Sequence, residues 1–163
     1  MPTQAILIQC HKNPEQVNML LDALQHPDVD IFVHVDKKSD IGSQLMTSSQ
    51  IHILPDKYRV DVQWATFSQV QATLNLLRFA SHQGNYEHYW LCSGQDYPIK
   101  PIDDIVQFLH SKPDTNFIQI WDSKNSIGGV PRTTTTNVRL SIFRNLFWET
   151  VPQRELQNVS LLN

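Results

Sequence analysis

Three short clusters carry residue types suited to an anionic ligand: His11-Lys12, Asp36-Lys37-Lys38, and Ser93-Gly94-Gln95-Asp96 with Lys100 close behind. Each comes directly after an apolar run. Lysine and histidine supply positive charge, and a carboxylate accepts hydrogen bonds from hydroxyl or amide groups. A phosphate joined to a sugar or base is the commonest ligand with that profile. Trp64, two residues ahead of Thr66, offers a flat face for a ring. Lys12, Lys37 and Lys38 would serve equally as solvated surface residues, and residue type alone does not separate the two readings.

Other chemistries find little support. The chain has five glycines and neither a G-x-G-x-x-G nor a Walker lysine loop. No H-E-x-x-H or Cys/His cluster suggests zinc, and Ser93-Gly94 lacks the G-x-S-x-G frame of a nucleophile elbow. Asp28-Val29-Asp30 resembles a metal-diphosphate pair, but it precedes an apolar run and reads as turn chemistry. No metal is expected. Cys10 and Cys92 are read as buried reduced thiols.

Across 163 residues, 13 Lys+Arg face 16 Asp+Glu, for a formal charge of −3. That balance leaves no basic excess for a nucleic-acid face. Hydrophobic residues make up 40% and charged residues 18%, which argues against disorder. No apolar run approaches the roughly 20 residues of a membrane span. The expected location is cytoplasmic, at most peripheral to a membrane.

The elements that must position these clusters alternate. Ala5 to Ile8 is a strand-like run ending at His11-Lys12-Asn13-Pro14. Asn13 as N-cap, Pro14 at the first helical position and Gln16 as capping-box partner predict a helix. Its stripe is Val17, Leu20, Leu21 and Leu24. Ile31 to Val35 and Ile51 to Leu54 read as further strands. Thr66 with Gln69 predicts another capping box, opening a helix lined by Phe67, Val70, Leu74 and Leu77. Tyr86 to Cys92 reads as a strand ending in the turn Ser93 to Pro98. Pro101 opens a third helix with Ile102, Ile105, Val106 and Leu109 inward, and Phe117 to Trp121 is a last strand. The pattern predicts an α/β domain, a mainly parallel sheet with helices on both faces. In such sheets ligands bind beyond the carboxyl ends of the strands, where all three clusters fall.

After Asp122 the alternation stops. Residues 123–163 include the apolar stretch Leu140 to Trp148 with no downstream partner. They read as an irregular segment of a larger domain that is cut short, following an α/β domain over residues 1–122.

The ordered motifs His11 to Gln16, His34 to Ser39, Trp64 with Phe67 to Ala72, and Leu91 with Ser93 to Lys100 resemble the amino-terminal half of the core-2/I-branching glycosyltransferases. That family includes β-1,6-N-acetylglucosaminyltransferases and peptide O-xylosyltransferases. The resemblance runs from about Ala5 to Trp121 and implies a UDP-sugar donor-binding domain over residues 1–122, followed over residues 123–163 by the irregular start of a truncated acceptor half. It implies a GT-A-like sandwich that is incomplete at its carboxyl end, using a UDP-sugar as co-substrate and no cofactor. It further implies inverting, metal-independent transfer of GlcNAc or xylose to a glycan or other hydroxyl acceptor. Gln9, Cys10, His11, Asp36, Lys37, Lys38 and Trp64 match positions near the uridine, and Ser93, Gly94, Gln95 and Asp96 match a loop near the donor sugar. The family's catalytic base lies in its carboxyl-terminal half, so neither Glu149 nor Glu155 is assigned that role. The alternative is an inactive nucleotide-sugar or carbohydrate-binding remnant.

Overall fold

Alternate residues of a strand face opposite sides, so a strand apolar at every position must be covered on both. The computed structural model describes residues 1–117 and 148–150 and shows this arrangement. Strand β1 (Gln4–Cys10) is central, with β2 (Val29–Val35) parallel on one side and β4 (His88–Ser93) parallel on the other. The short β3 (Ile51–Ile53) extends the sheet beyond β2, giving the order β3-β2-β1-β4. Ile6, Ile8 and Cys10 pack with Val17, Leu20 and Leu21 of α1 (Pro14–Ala23) and with Ile105, Val106 and Leu109 of α3 (Ile102–His110). Ala5 and Leu7 face the opposite layer, with Leu76 and Ala80 of α2 (Phe67–Gln83). The observed α/β class and layering match the expectation. Among the described residues, no helix is long and apolar enough to cross a membrane.

Several local expectations are corrected. The α2 stripe is the largest correction. Ala72, Leu76 and Ala80 are fully buried, whereas Phe67 (68% exposed), Val70 (50%) and Leu74 (37%) point outward and Leu77 is partly buried. Small alanines let the helix lie close to the sheet, so the buried stripe is the less hydrophobic one by composition. Asn13 occupies the N-cap position of α1 in the left-handed region (φ 57°, ψ 66°) and makes no side-chain cap. Asparagine tolerates that conformation better than most residues. Gln16 does not close a capping box; its Nε2 donates to the Gln95 carbonyl at 3.2 Å.

Thr66 does cap α2, but its Oγ1 accepts from Ser68 N at 3.3 Å, and Gln69 bonds the Thr66 carbonyl through its own amide. Asp28-Val29-Asp30 is not wholly a turn. Val29 and Asp30 lie inside β2, where the Tyr86 hydroxyl donates to Asp30 at 2.6 Å, at the end of the sheet away from the three clusters. The turn Ser93 to Pro98 includes a short strand, β5 (Asp96–Pro98), antiparallel to β6 (Trp148–Thr150). Of the expected strand Phe117 to Trp121, only Phe117 is among the described residues. There it packs against the core beside Phe108.

Candidate functional site

The strand order places the sheet's switch point between β1 and β4, because the chain leaves β1 toward β2 and later returns to its other side. Crevices of this kind are where open α/β sheets hold ligands. Direct hydrogen bonds join the predicted clusters there. Asp36 N donates to the Cys10 carbonyl at 2.9 Å, and Gly94 N donates to the Gln9 carbonyl at 2.8 Å. Gln9 Nε2 donates to Thr73 Oγ1 at 2.6 Å, tying the first half of α2 to the same edge. A Cβ added to Gly94 would lie 2.6 Å from Cys10 Cβ, so this approach of loop to strand requires glycine.

The turn after β2 is held from within. Asp36 is buried, and its Oδ1 accepts from Lys38 N at 2.9 Å, an Asx turn. Its Oδ2 lies 3.9 Å from Lys38 Nζ. Lys38 Nζ also donates to the Val62 carbonyl at 2.7 Å and pairs with Asp61 at 2.7 Å. The Asp61 hydrogen bond raises the Lys38 pKa, keeping the ammonium charged. Lys12 and Lys37 are exposed around this turn and strand end, giving a cationic rim to a buried carboxylate, and His11 is exposed beside Lys12.

Trp64 stands on the segment that Lys38 grips. Its side chain is 90% exposed, so its indole is available rather than structural. Ala65, which follows it, has φ 60°. A non-glycine residue there carries strain on the order of 1–3 kcal/mol. The turn is fixed by Thr66 Oγ1 donating to the Gln63 carbonyl at 2.9 Å and Gln63 N donating to Ser68 Oγ at 2.7 Å.

In the Ser93 to Asp96 loop, Asp96 is buried and its Oδ2 accepts from Ser93 N at 2.8 Å. Asp96 therefore shapes the loop, and the partly exposed Gln95 and exposed Ser93 face outward. Cys10 and Cys92 are free, buried thiols. Burial pushes the Cys10 pKa up to about 12 and that of Cys92 well above its ordinary value, so neither serves as a nucleophile at neutral pH. Among the described residues, no group of three His, Cys, Asp or Glu side chains could hold a metal ion.

Sequence reading gives Arg59 no role, His34 none beyond a family motif and Gln16 only a local capping role, yet all three support the edge. His34 is buried, and its Nε2 accepts from Val60 N at 2.9 Å. That bond requires an unprotonated ring, and burial lowers the His34 pKa below 6.5. The unfolded chain therefore binds a proton more readily than the folded one. Stability from this group is complete above about pH 6.5 and is lost as pH falls through the folded pKa. Urea midpoints measured from pH 8 to 5 are expected to fall more steeply on acidification for the wild type than for His34→Gln. Parallel slopes would show that His34 does not contribute.

Comparison with known proteins bears on this geometry. The family model described as Core-2/I-Branching enzyme matches residues 5–146. A probable beta-1,3-galactosyl-O-glycosyl-glycoprotein beta-1,6-N-acetylglucosaminyltransferase 7 of Sus scrofa is 28% identical over 131 residues, 77% of this chain and 29% of that protein. The Homo sapiens protein of the same name is 29% identical over 133 residues, with the same two coverages. Xylosyltransferase 1 of Homo sapiens is 24% identical over 128 residues, 74% of this chain and 13% of that protein. The chain thus spans less than a third of the length of these relatives.

Proposed function

Because this chain belongs to the core-2/I-branching enzyme family, we propose that its carboxyl-terminal sheet edge binds the UDP-sugar donor of a glycosyltransferase. The observation that carries this is the convergence of Cys10, Asp36 and Gly94 at the switch point, bonded through Gln9, Cys10 and Asp36 backbone groups. The exposed indole of Trp64 stands on the segment clamped to that turn. In this reading Asp36 accepts from the uracil or ribose, Trp64 stacks on the nucleoside, and Gln9, Cys10 and His11 form the floor. Lys37 and Lys38 border the uridine, with Lys38 held there by its pairing with Asp61. The loop Ser93, Gly94, Gln95 and Asp96 borders the donor sugar.

The reaction is the displacement of UDP by an acceptor hydroxyl. The hydroxyl oxygen bonds to the anomeric carbon, the bond from that carbon to the diphosphate oxygen breaks, and configuration inverts. A carboxylate takes the hydroxyl proton, and fixed positive charge stabilises the departing diphosphate without a metal. The base lies outside the donor edge. The names of the relatives support GlcNAc or xylose as the sugar, with a glycan or protein hydroxyl as acceptor.

Calorimetric titration of the 163-residue chain with UDP and UDP-GlcNAc tests the reading, and saturable one-site binding is expected. A folded chain that binds neither would sink it. Trp64→Ala is expected to weaken UDP binding by about 1–3 kcal/mol, the scale of aromatic–base stacking. Because the indole is exposed, the thermal midpoint should stay unchanged. Unaltered affinity would remove Trp64 from the site. Binding without turnover of UDP-GlcNAc would restrict the chain to a binding role.

A further inference from the structure

Arg59 follows the short 3-10 turn Asp56–Tyr58, in a segment between the Asp36-Lys37-Lys38 cluster and Trp64 that carries none of the motifs singled out above. Its guanidinium nonetheless reaches the end of β2. Nε donates to the Val35 carbonyl at 3.0 Å, and Nη2 donates to the carbonyls of Asp36 (2.8 Å) and Ser39. Nη1 pairs with Asp56 at 2.9 Å, and the side chain is only 18% exposed. Three carbonyls released by the end of a strand thus find one cation. Only a planar fork of five N–H donors can meet them together; a lysine ammonium is a point charge on a flexible stem.

The consequence for the turn is geometric. A peptide plane whose carbonyl is pinned has its N–H pinned in the opposite sense. The plane containing the Val35 carbonyl carries Asp36 N, which donates to Cys10; the next plane carries Lys37 N, which donates to the Val60 carbonyl at 3.0 Å. The orientation of the Asp36 side chain is thereby set. Return bonds run from Val60 N to His34 and from Lys38 Nζ to the Val62 carbonyl, closing a clamp between residues 34–39 and 59–62. Trp64 leaves that clamp two residues later.

We propose that Arg59 is a positioning residue of the donor edge, holding the Asp36 turn and the Trp64 segment in a fixed relative geometry without touching the donor. The proposal rests on the nucleotide reading of the edge. Its test uses the 163-residue chain, Arg59→Lys, which preserves charge, and Arg59→Ala. Three measurements are made: UDP affinity by calorimetry, amide hydrogen exchange over residues 36–40, and UDP affinity in the presence of added guanidinium ion at millimolar concentration.

Arg59→Lys is expected to weaken UDP binding at least tenfold while still melting cooperatively, with faster exchange at the Lys37 and Lys38 amides. Guanidinium should restore part of the affinity of Arg59→Ala and none to the wild type. A merely structural arginine would lower the melting temperature without affinity loss in the folded lysine variant or rescue by guanidinium, and either result overturns the proposal. Unchanged exchange over residues 36–40 in both variants overturns it as well. Should the wild type fail to bind UDP, the nucleotide reading falls, and the exchange measurement alone still decides whether Arg59 sets the turn.

Discussion

Leu76→Ala is expected to destabilise the fold by about 2–5 kcal/mol, the range for emptying a fully buried leucine site. Leu74→Ala, two residues earlier on the same helix, should cost less than about 1 kcal/mol, as surface changes usually do. Leu76 is 0% exposed in the layer formed with Ala5, Leu7, Phe32 and Tyr86, and Leu74 is 37% exposed on the opposite side of α2. Both substitutions remove the same atoms and change helix propensity equally, so their difference reports which side of α2 meets the sheet. Urea unfolding of the two variants measures it. Equal losses, or a larger loss at Leu74, would mean that α2 packs in the register its hydrophobic pattern suggests.

That pattern misleads for a physical reason. Summed hydrophobicity favours Phe67, Val70, Leu74 and Leu77 over a face built from Ala72, Leu76 and Ala80. A helix crossing a sheet closely needs small side chains at the contact, and pattern reading has no term for distance. In α1 the two criteria agree: Val17, Leu20 and Leu21 are large, apolar and fully buried, and that helix is legible from sequence alone. The parallel strands were also legible, because Ala5 to Ile8 and Ile31 to Val33 are apolar without alternation, as double-sided burial demands. Strand β5 was not, since its antiparallel partner β6 lies some fifty residues later in the chain and no local signal announces the pairing.

The site divides in the same way. The clusters at Cys10, Asp36 and Gly94 were visible because each follows a strand, and parallel strands deliver their ends to one edge. What organises the edge was hidden, since Arg59, His34 and Gln16 act through contacts 20 or more residues away in sequence. Their types gave no hint. Asp56, three residues before Arg59, suggests a local ion pair and conceals the carbonyls that Arg59 reaches across the turn, and Gln16 sits where a local capping function would explain it equally well.

Gly94→Ala is the second large effect. Its new methyl group would lie 2.6 Å from Cys10 Cβ and 3.3 Å from both Cys10 Cα and Val17 Cγ2. Cys10 Cβ belongs to a central strand and Val17 to a packed helix, so neither yields as the tip of a flexible chain would. The loop must retreat, and forced overpacking of this kind costs about 1–3 kcal/mol. Retreat strains two bonds at once, Gly94 N to the Gln9 carbonyl at 2.8 Å and Gln16 Nε2 to the Gln95 carbonyl at 3.2 Å. UDP affinity is therefore expected to fall at least tenfold in Gly94→Ala even under conditions where the variant is fully folded. The cause can be isolated with Cys10→Gly, which removes the atom in closest conflict. If the clash is the cause, Gly94→Ala should be markedly less costly in the Cys10→Gly background, giving a favourable coupling of about 0.5–3 kcal/mol in the double-mutant cycle. Strict additivity would place the penalty elsewhere and detach Gly94 from the β1 end, removing the packing reason for a glycine at the sheet's switch point.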